Sequence, residues 1–349
     1  MIKEWNLLRT ISALSIVLLH STTFTIWNKG YPNVEYYQFY RLLLTFATPT
    51  FIILSIIILA NKYSDKIPDS FFKKRGKFIL LPFLAFAIID ALVTNYTSTH
   101  GINILSRILY NLTGGFEGYF ILIIFQFYIL YYLVVRYKIP MEKFLFLSII
   151  ITMVHLYIFN NTDLLSPETK RIFKLFITSW LCYFAIGFLV GKYYDPIRKF
   201  LKEYKWVTLI VLGFAIYFIF LSFSNGDIAV NSKRIDIFIL TVAVCMAVIA
   251  WGQVFPNLRI INLISNYSLG IYLLHWQVQK VIAPYIANLI TSHSHMIIVI
   301  FFSSLIISMV LIKLISLTPF GKYIIGNTVR KYRKSDDQNK WLNPKTKIG

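Results

Sequence analysis

Cysteine is almost absent: 349 residues contain only Cys182 and Cys245, each inside a hydrophobic run. Two such residues make neither a disulfide framework nor a thiolate metal cluster, and they read as small apolar packing groups. Acidic side chains are scarce as well, 15 against 35 Lys and Arg. Charged residues of both signs reach only 14% while hydrophobic ones reach 57%, a balance that leaves little chain for any soluble domain. Internal repeats are lacking, and the connections between apolar runs are short, so the chain reads as one domain.

What is present is a series of apolar runs that reach the length of a bilayer. Helices are expected at 7–27, 38–60, 78–95, 118–136, 143–160, 173–191, 206–223, 237–254, 267–290 and 297–317. The fold class is therefore all-α, a polytopic membrane helical bundle of about ten transmembrane helices. Its transmembrane domain spans 1–317, and 318–349 form a basic tail. The first run is too long for a secretory leader and lacks a small-residue cleavage site before Trp27, so it is expected to stay as a span.

A formal charge of +20 would suggest nucleic acid in a soluble protein, but its distribution points elsewhere. Lys62, Lys66, Lys73, Lys74, Arg75 and Lys77 fall between the second and third helices. Arg136, Lys138 and Lys143 separate the fourth and fifth, and Lys192, Arg198, Lys199, Lys202 and Lys205 the sixth and seventh. Alternate loops carry little beyond Lys29, Arg107, Lys170, Arg171, Lys233 and Arg234. The positive-inside rule then puts both termini in the cytoplasm of a multi-pass cell-membrane protein, in agreement with an even helix count. No nucleic-acid partner is needed. The longest outer connection, 96–117, holds a partly apolar run that suits the membrane interface or a lid.

Ionisable groups inside a spanning helix are costly and mark function by default. Arg9 and His20 are such a pair: eleven positions at about 100° each put both on one stripe, with about 16 Å of rise between them. Taken singly, Arg9 reads as a snorkelling anchor and His20 as a histidine bonded to a neighbouring carbonyl. As a pair they suit a charge at the inner edge below a group that exchanges protons near neutral pH.

The Arg-x10-His spacing of Arg9 and His20 resembles the first-helix signature of the acyltransferase 3 family of membrane proteins. Further matches follow in order: Thr48-Pro49-Thr50-Phe51-Ile52-Ile53-Leu54-Ser55, Lys73-Lys74-Arg75 before Leu80-Leu81-Pro82, Gly118-Tyr119-Phe120 with Gln126 to Leu130, and Tyr267 to Trp276. Within the family the likeness is closest to the intercellular-adhesion membrane proteins of biofilm poly-N-acetylglucosamine loci, through Arg41, Phe51 to Ser55 and Asn225-Gly226-Asp227. One departure is Ile56, where many family members carry glycine.

The resemblance implies acyl transfer, acetyl or succinyl, from cytoplasmic acyl-CoA to a hydroxyl of an extracytoplasmic glycan, with no resident cofactor and no metal. His20 would be the general base or, less simply, a transient acyl carrier. Arg9 with Lys73, Lys74, Arg75 and Lys77 would grip the phosphates of coenzyme A, whose extended arm is comparable in length to the Arg9 to His20 rise. Ser55, Tyr272 or His275 would supply an oxyanion donor, and Arg41 an acceptor contact. His275 also reads as a cross-bond between helices, and Arg41 as an interfacial anchor.

Other polar groups carry blander expectations. Asp90 and Lys280 pair in the bundle or reach the interface separately; Glu117 sits at an outer helix end where water solvates it; His155 is structural; His293 and His295 are too sparse for a metal site. Tyr31, Tyr36, Tyr37 and Tyr40 suit sugar stacking and also suit an ordinary interfacial belt. Two other functions remain open: export of poly-N-acetylglucosamine, which would favour discontinuous helices or inverted repeats, and a structural partnership with a membrane glycan synthase.

Overall fold

The computed structural model describes residues 2–64, 66–161 and 166–328, and its regular structure is entirely helical. The basic tail from 329 onward lies outside the described residues. Among the described residues eight helices are long and apolar enough to cross a membrane, and a bent pair, taken as one span, makes a ninth. They include α1 (Lys3–Lys29), α2 (Tyr37–Lys62) and α3 (Phe71–Thr97). The short α4 (Ile104–Leu112) precedes α5 (Phe120–Arg136) and α6 (Met141–Asn160). The bent pair is α7 (Pro167–Phe173) and α8, which with its lead-in turn covers Ile177–Lys192 and departs from α7 by 60°.

After α9 (Tyr194–Glu203) come α10 (Lys205–Ser224), α11 (Ile235–Gly252), α12 (Arg259–Leu289), α13 (His293–Ser316) and α14 (Gly321–Ile324). The expected span at 267–290 is α12, 31 residues long, which is not among the helices apolar enough to span by composition. Ser265, Ser268, His275, Gln277 and Gln279 are buried along it, so its polar face is turned into the protein and away from lipid.

Local geometry follows the prolines. Pro49 has no N–H and crowds the carbonyl four residues back, and the chain winds as a tight 3₁₀ turn over Leu44–Phe46. Pro82 likewise follows a π-helical turn at Gly76–Leu80. The outer connection at 96–117 contains α4, capped by the Asn103 side chain, with Leu105 and Leu109 exposed on one face.

Glycine brings α2 and α8 together. A Cβ at Gly187 would lie 2.9 Å from the Ile53 carbonyl oxygen, and one at Gly191 would lie 2.5 Å from that of Ile57. This small-xxx-small spacing lets backbones approach where lipid provides no hydrophobic drive. It also explains Ile56, which is fully buried with its Cβ 3.0 Å from the position a Gly187 side chain would take. The small residue stands on the opposing helix instead.

Contacts gather the basic connections at one end of the bundle. Glu4 is fully buried and binds Arg198 at 2.5 Å, Lys3 reaches the Phe255 carbonyl, Glu142 pairs with Lys192, and Phe78 stacks on Tyr323. The start of α1 and the chain around α14 therefore share the face that the charge pattern makes cytoplasmic.

Candidate functional site

α1 and α12 run parallel and pack along most of their length. Their polar pairs are in register: Asn6 Nδ2 donates to Asn262 Oδ1 at 2.7 Å, Arg9 Nη1 to Ser265 Oγ at 2.9 Å, and Gln279 Nε2 to the Val17 carbonyl at 3.0 Å. Arg9 and His20 thus lie on one unbroken helix and face the same neighbour, Arg9 near the inner end and His20 three turns above it.

Beside Arg9 is a cavity of about 450 Å³. Arg9, Lys62 and Arg75 supply charge, Ser55 and Ser268 hydroxyls, and Phe120, Tyr128 and Tyr272 aromatic wall. Arg75 is held over the Phe71 and Tyr128 rings, 5.1 and 4.9 Å from their centroids. The expected basic grip is only partly assembled: Lys73, Lys74 and Lys77 are exposed and do not line the cavity, whereas Lys62 does. Three consecutive basic residues on a helix point in different directions, so one cavity cannot receive them all.

At the far end, Tyr272 donates its hydroxyl hydrogen to the Glu117 carbonyl. That proton is committed, which removes Tyr272 as an oxyanion donor. Glu117 turns its carboxylate toward His20, with Oε2 3.7 Å from Nε2, and so is more than the water-solvated helix end expected of it. His20 Nδ1 has no hydrogen-bond partner among the described residues. Its ring lies 5.3 Å from that of His275 and 4.9 Å, edge-on, from Trp276. Phe24 and the exposed Trp27 continue this aromatic wall outward.

His275 is fully buried, and its Nδ1 meets the Ile271 carbonyl oxygen at 2.9 Å. A carbonyl only accepts, so Nδ1 carries the proton and Nε2 of the neutral ring presents a lone pair. His275 is therefore unsuited to donate to an oxyanion. Ser55 and Ser268 remain as cavity hydroxyls, and sequence reasoning passed over Ser268.

Arg41 lies apart from the cavity, donating to Thr22 and Thr23 at 2.9 Å and to Gln38 at 2.8 Å. Asp90 and Lys280 do not pair: Asp90 binds Arg107 at 3.1 Å and accepts from Asn111 and Gln277, while Lys280 donates to Thr94. His155 has both ring nitrogens on the hydroxyls of Thr178 and Ser179 and stacks on Phe173, as a structural histidine would. Among the described residues no group of three or more His, Cys, Asp and Glu is placed to hold a metal.

A family described as an acyltransferase domain matches residues 2–313. The chain belongs to the acyltransferase 3 family. "Putative membrane-bound acyltransferase YfiQ" of Bacillus subtilis is 35% identical over 294 residues, 78% of this chain and 80% of that protein. "Probable poly-beta-1,6-N-acetyl-D-glucosamine export protein" of Staphylococcus aureus strain Mu50 is 31% identical over 255 residues, 68% of this chain and 70% of its own. The Staphylococcus epidermidis protein of the same name is 27% identical over 292 residues, 77% and 78% of the two chains. No solved structure matches. This acyltransferase 3 protein is thus a multi-pass membrane protein with relatives linked by name to acyl transfer and to a biofilm polysaccharide.

Proposed function

We propose that this chain moves an acyl group, acetyl or succinyl, from cytoplasmic acyl-CoA to a hydroxyl of a glycan outside the membrane. One observation carries the reading: a cavity with Arg9, Lys62 and Arg75 around it reaches Tyr272, whose hydroxyl is tied to the same Glu117 that faces His20. Phosphates of the donor rest on the basic side chains, and the pantetheine arm follows the cavity toward His20.

Glu117 draws the His20 Nε2 hydrogen toward its carboxylate, which leaves the lone pair on Nδ1. Nδ1 takes the proton of the acceptor hydroxyl as that oxygen attacks the thioester carbonyl. A C–O bond forms, Ser55 or Ser268 donates to the oxyanion, the C–S bond breaks, and the proton passes from Nδ1 to the departing thiolate. Glu117 stabilises the imidazolium between these steps. Trp27 and Trp276 offer faces to the sugar.

Polymer export is the second reading, favoured by the printed name of the staphylococcal relatives. Replacing His20 by Ala separates the two. Acyl transfer predicts polymer outside the cell without ester-linked acyl groups, whereas polymer trapped inside with unchanged acyl content would overturn it.

A further inference from the structure

Arg234, Arg107 and Arg171 on the outer side of the bundle are each matched by a carboxylate or several hydrogen-bond acceptors. Arg234 is neutralised by Asp236 at 2.5 Å and Asp227 at 2.7 Å, the latter set by the Asn225-Gly226-Asp227 turn, where Gly226 has φ +98°. Arg107 has Asp90. Arg171 donates to the Thr113 carbonyl and hydroxyl. Lys233, adjacent to Arg234, is only 4% exposed, yet its ammonium has neither a carboxylate within 4.0 Å nor a hydrogen-bond acceptor among the described residues.

Aromatic rings surround it instead. Lys233 Nζ lies 5.0, 5.4 and 5.6 Å from the centroids of Phe159, Trp180 and Tyr119. Lys174, half-buried at the break between α7 and α8, brings its Nζ to 4.3 Å from the same Tyr119 ring. It too lacks a carboxylate within 4.0 Å and a hydrogen-bond acceptor among the described residues. Two ammonium groups thus converge on one ring, where their like charges repel and an added anion is favoured. Glu117 is the nearby carboxylate: its charge acts on both lysines, more on Lys174 than on Lys233, yet it lies beyond 4.0 Å of either ammonium and turns toward His20, 3.7 Å away. Burial, reinforced by Lys174, pushes the Lys233 ammonium down to about 7, a charge that a bound anion would restore.

We propose that Lys174 and Lys233 form an anion-binding subsite around Tyr119 that seats a carboxylate or phosphate of the acceptor glycan, near the Glu117 that faces His20. The inference rests on the acyl-transfer reading and specifies its acceptor class. A glycan is favoured over a lipid headgroup because Lys233 is enclosed by protein, and because the subsite is continuous with Tyr119 and Glu117. Rings flanking a cation also suit the apolar face of a sugar.

The test uses the full-length protein in lipid nanodiscs, titrated with glucuronate, glucose 6-phosphate and neutral glucose, with the melting midpoint as the readout. The anionic sugars should raise the midpoint and glucose should not. K233M and K174M should each shift the response to at least tenfold higher ligand concentration, while K233R retains it. The readout is binding and not turnover, so a failed acyl-transfer reading would leave this response intact. An equal response to glucose, an unchanged response in K233M, or displacement of the sugars by phosphatidylglycerol vesicles would overturn the proposal. So would a K233M defect confined to turnover of succinyl-CoA relative to acetyl-CoA, which would place the anion on the donor.

Discussion

Around Arg9 the site is a chamber of about 450 Å³, with open space between apolar walls and basic groups at its margin. Around His20 the space is filled instead: His275, Trp276 and Glu117 close on the ring, and Tyr272 is tied to the Glu117 backbone. On the proposed acyl-transfer reading the contrast is a division of labour, since a mobile donor arm needs room while a proton-transfer group needs fixed neighbours. Substitutions at the inner end should therefore change donor affinity, and those at the outer end should change turnover.

The largest effect is expected from H20A, which should lower acyl transfer by at least about 10²-fold, the usual worth of a general base, with acyl-CoA binding changed less than about threefold. Isothermal titration beside a turnover assay checks both halves; parallel losses would erase the distinction between the two ends. E117Q keeps the shape and removes the charge, so kcat should fall roughly tenfold at nearly constant KM. A rise in KM alone would assign Glu117 to substrate binding.

At the inner end, R75Q removes a charged contact worth about 1.5 kcal/mol, so the Kd for acyl-CoA should rise roughly tenfold with kcat retained. G191L tests the scaffold under the chamber. A side chain there meets the Ile57 carbonyl oxygen, and overpacking of this kind costs about 1–3 kcal/mol, read as a lower unfolding midpoint in detergent. The smallest effect belongs to the triple variant K73Q/K74Q/K77Q, which should change donor affinity by less than about twofold because charges exposed outside the cavity are screened. A loss equal to that of R75Q would mean that the donor nucleotide extends over the surface.

The sequence carried the bundle, because bilayer-length runs and alternating basic loops are one-dimensional signals. It also carried the stripe of Arg9 and His20, which depends on helical periodicity alone. Glu117 was hidden because it lies 97 positions from His20 in the sequence, and no spacing rule connects them. The basic run 73–77 was legible as charge but not as direction, since which residue turns inward depends on the packing beside the π-turn at Gly76–Leu80. Gly187 and Gly191 went unread in the sequence, because their role depends on the Ile53 and Ile57 backbone that packs opposite them. Lys233 and Arg234 look alike in the sequence, whereas their surroundings differ entirely.

The pairing of α1 with α12 also governs when a site can exist. Arg9 and Ser265 are separated by 256 positions, so at about 5–20 residues per second a ribosome needs roughly 13–50 s to supply the second after the first. During that interval the first helix sits in the bilayer without the Ser265 hydroxyl that accepts from Arg9 in the folded chain, and without the polar face of α12. Truncated chains that end before Arg259 should be short-lived in the cell, and the rate of their clearance would report how strongly α12 locks α1 in place.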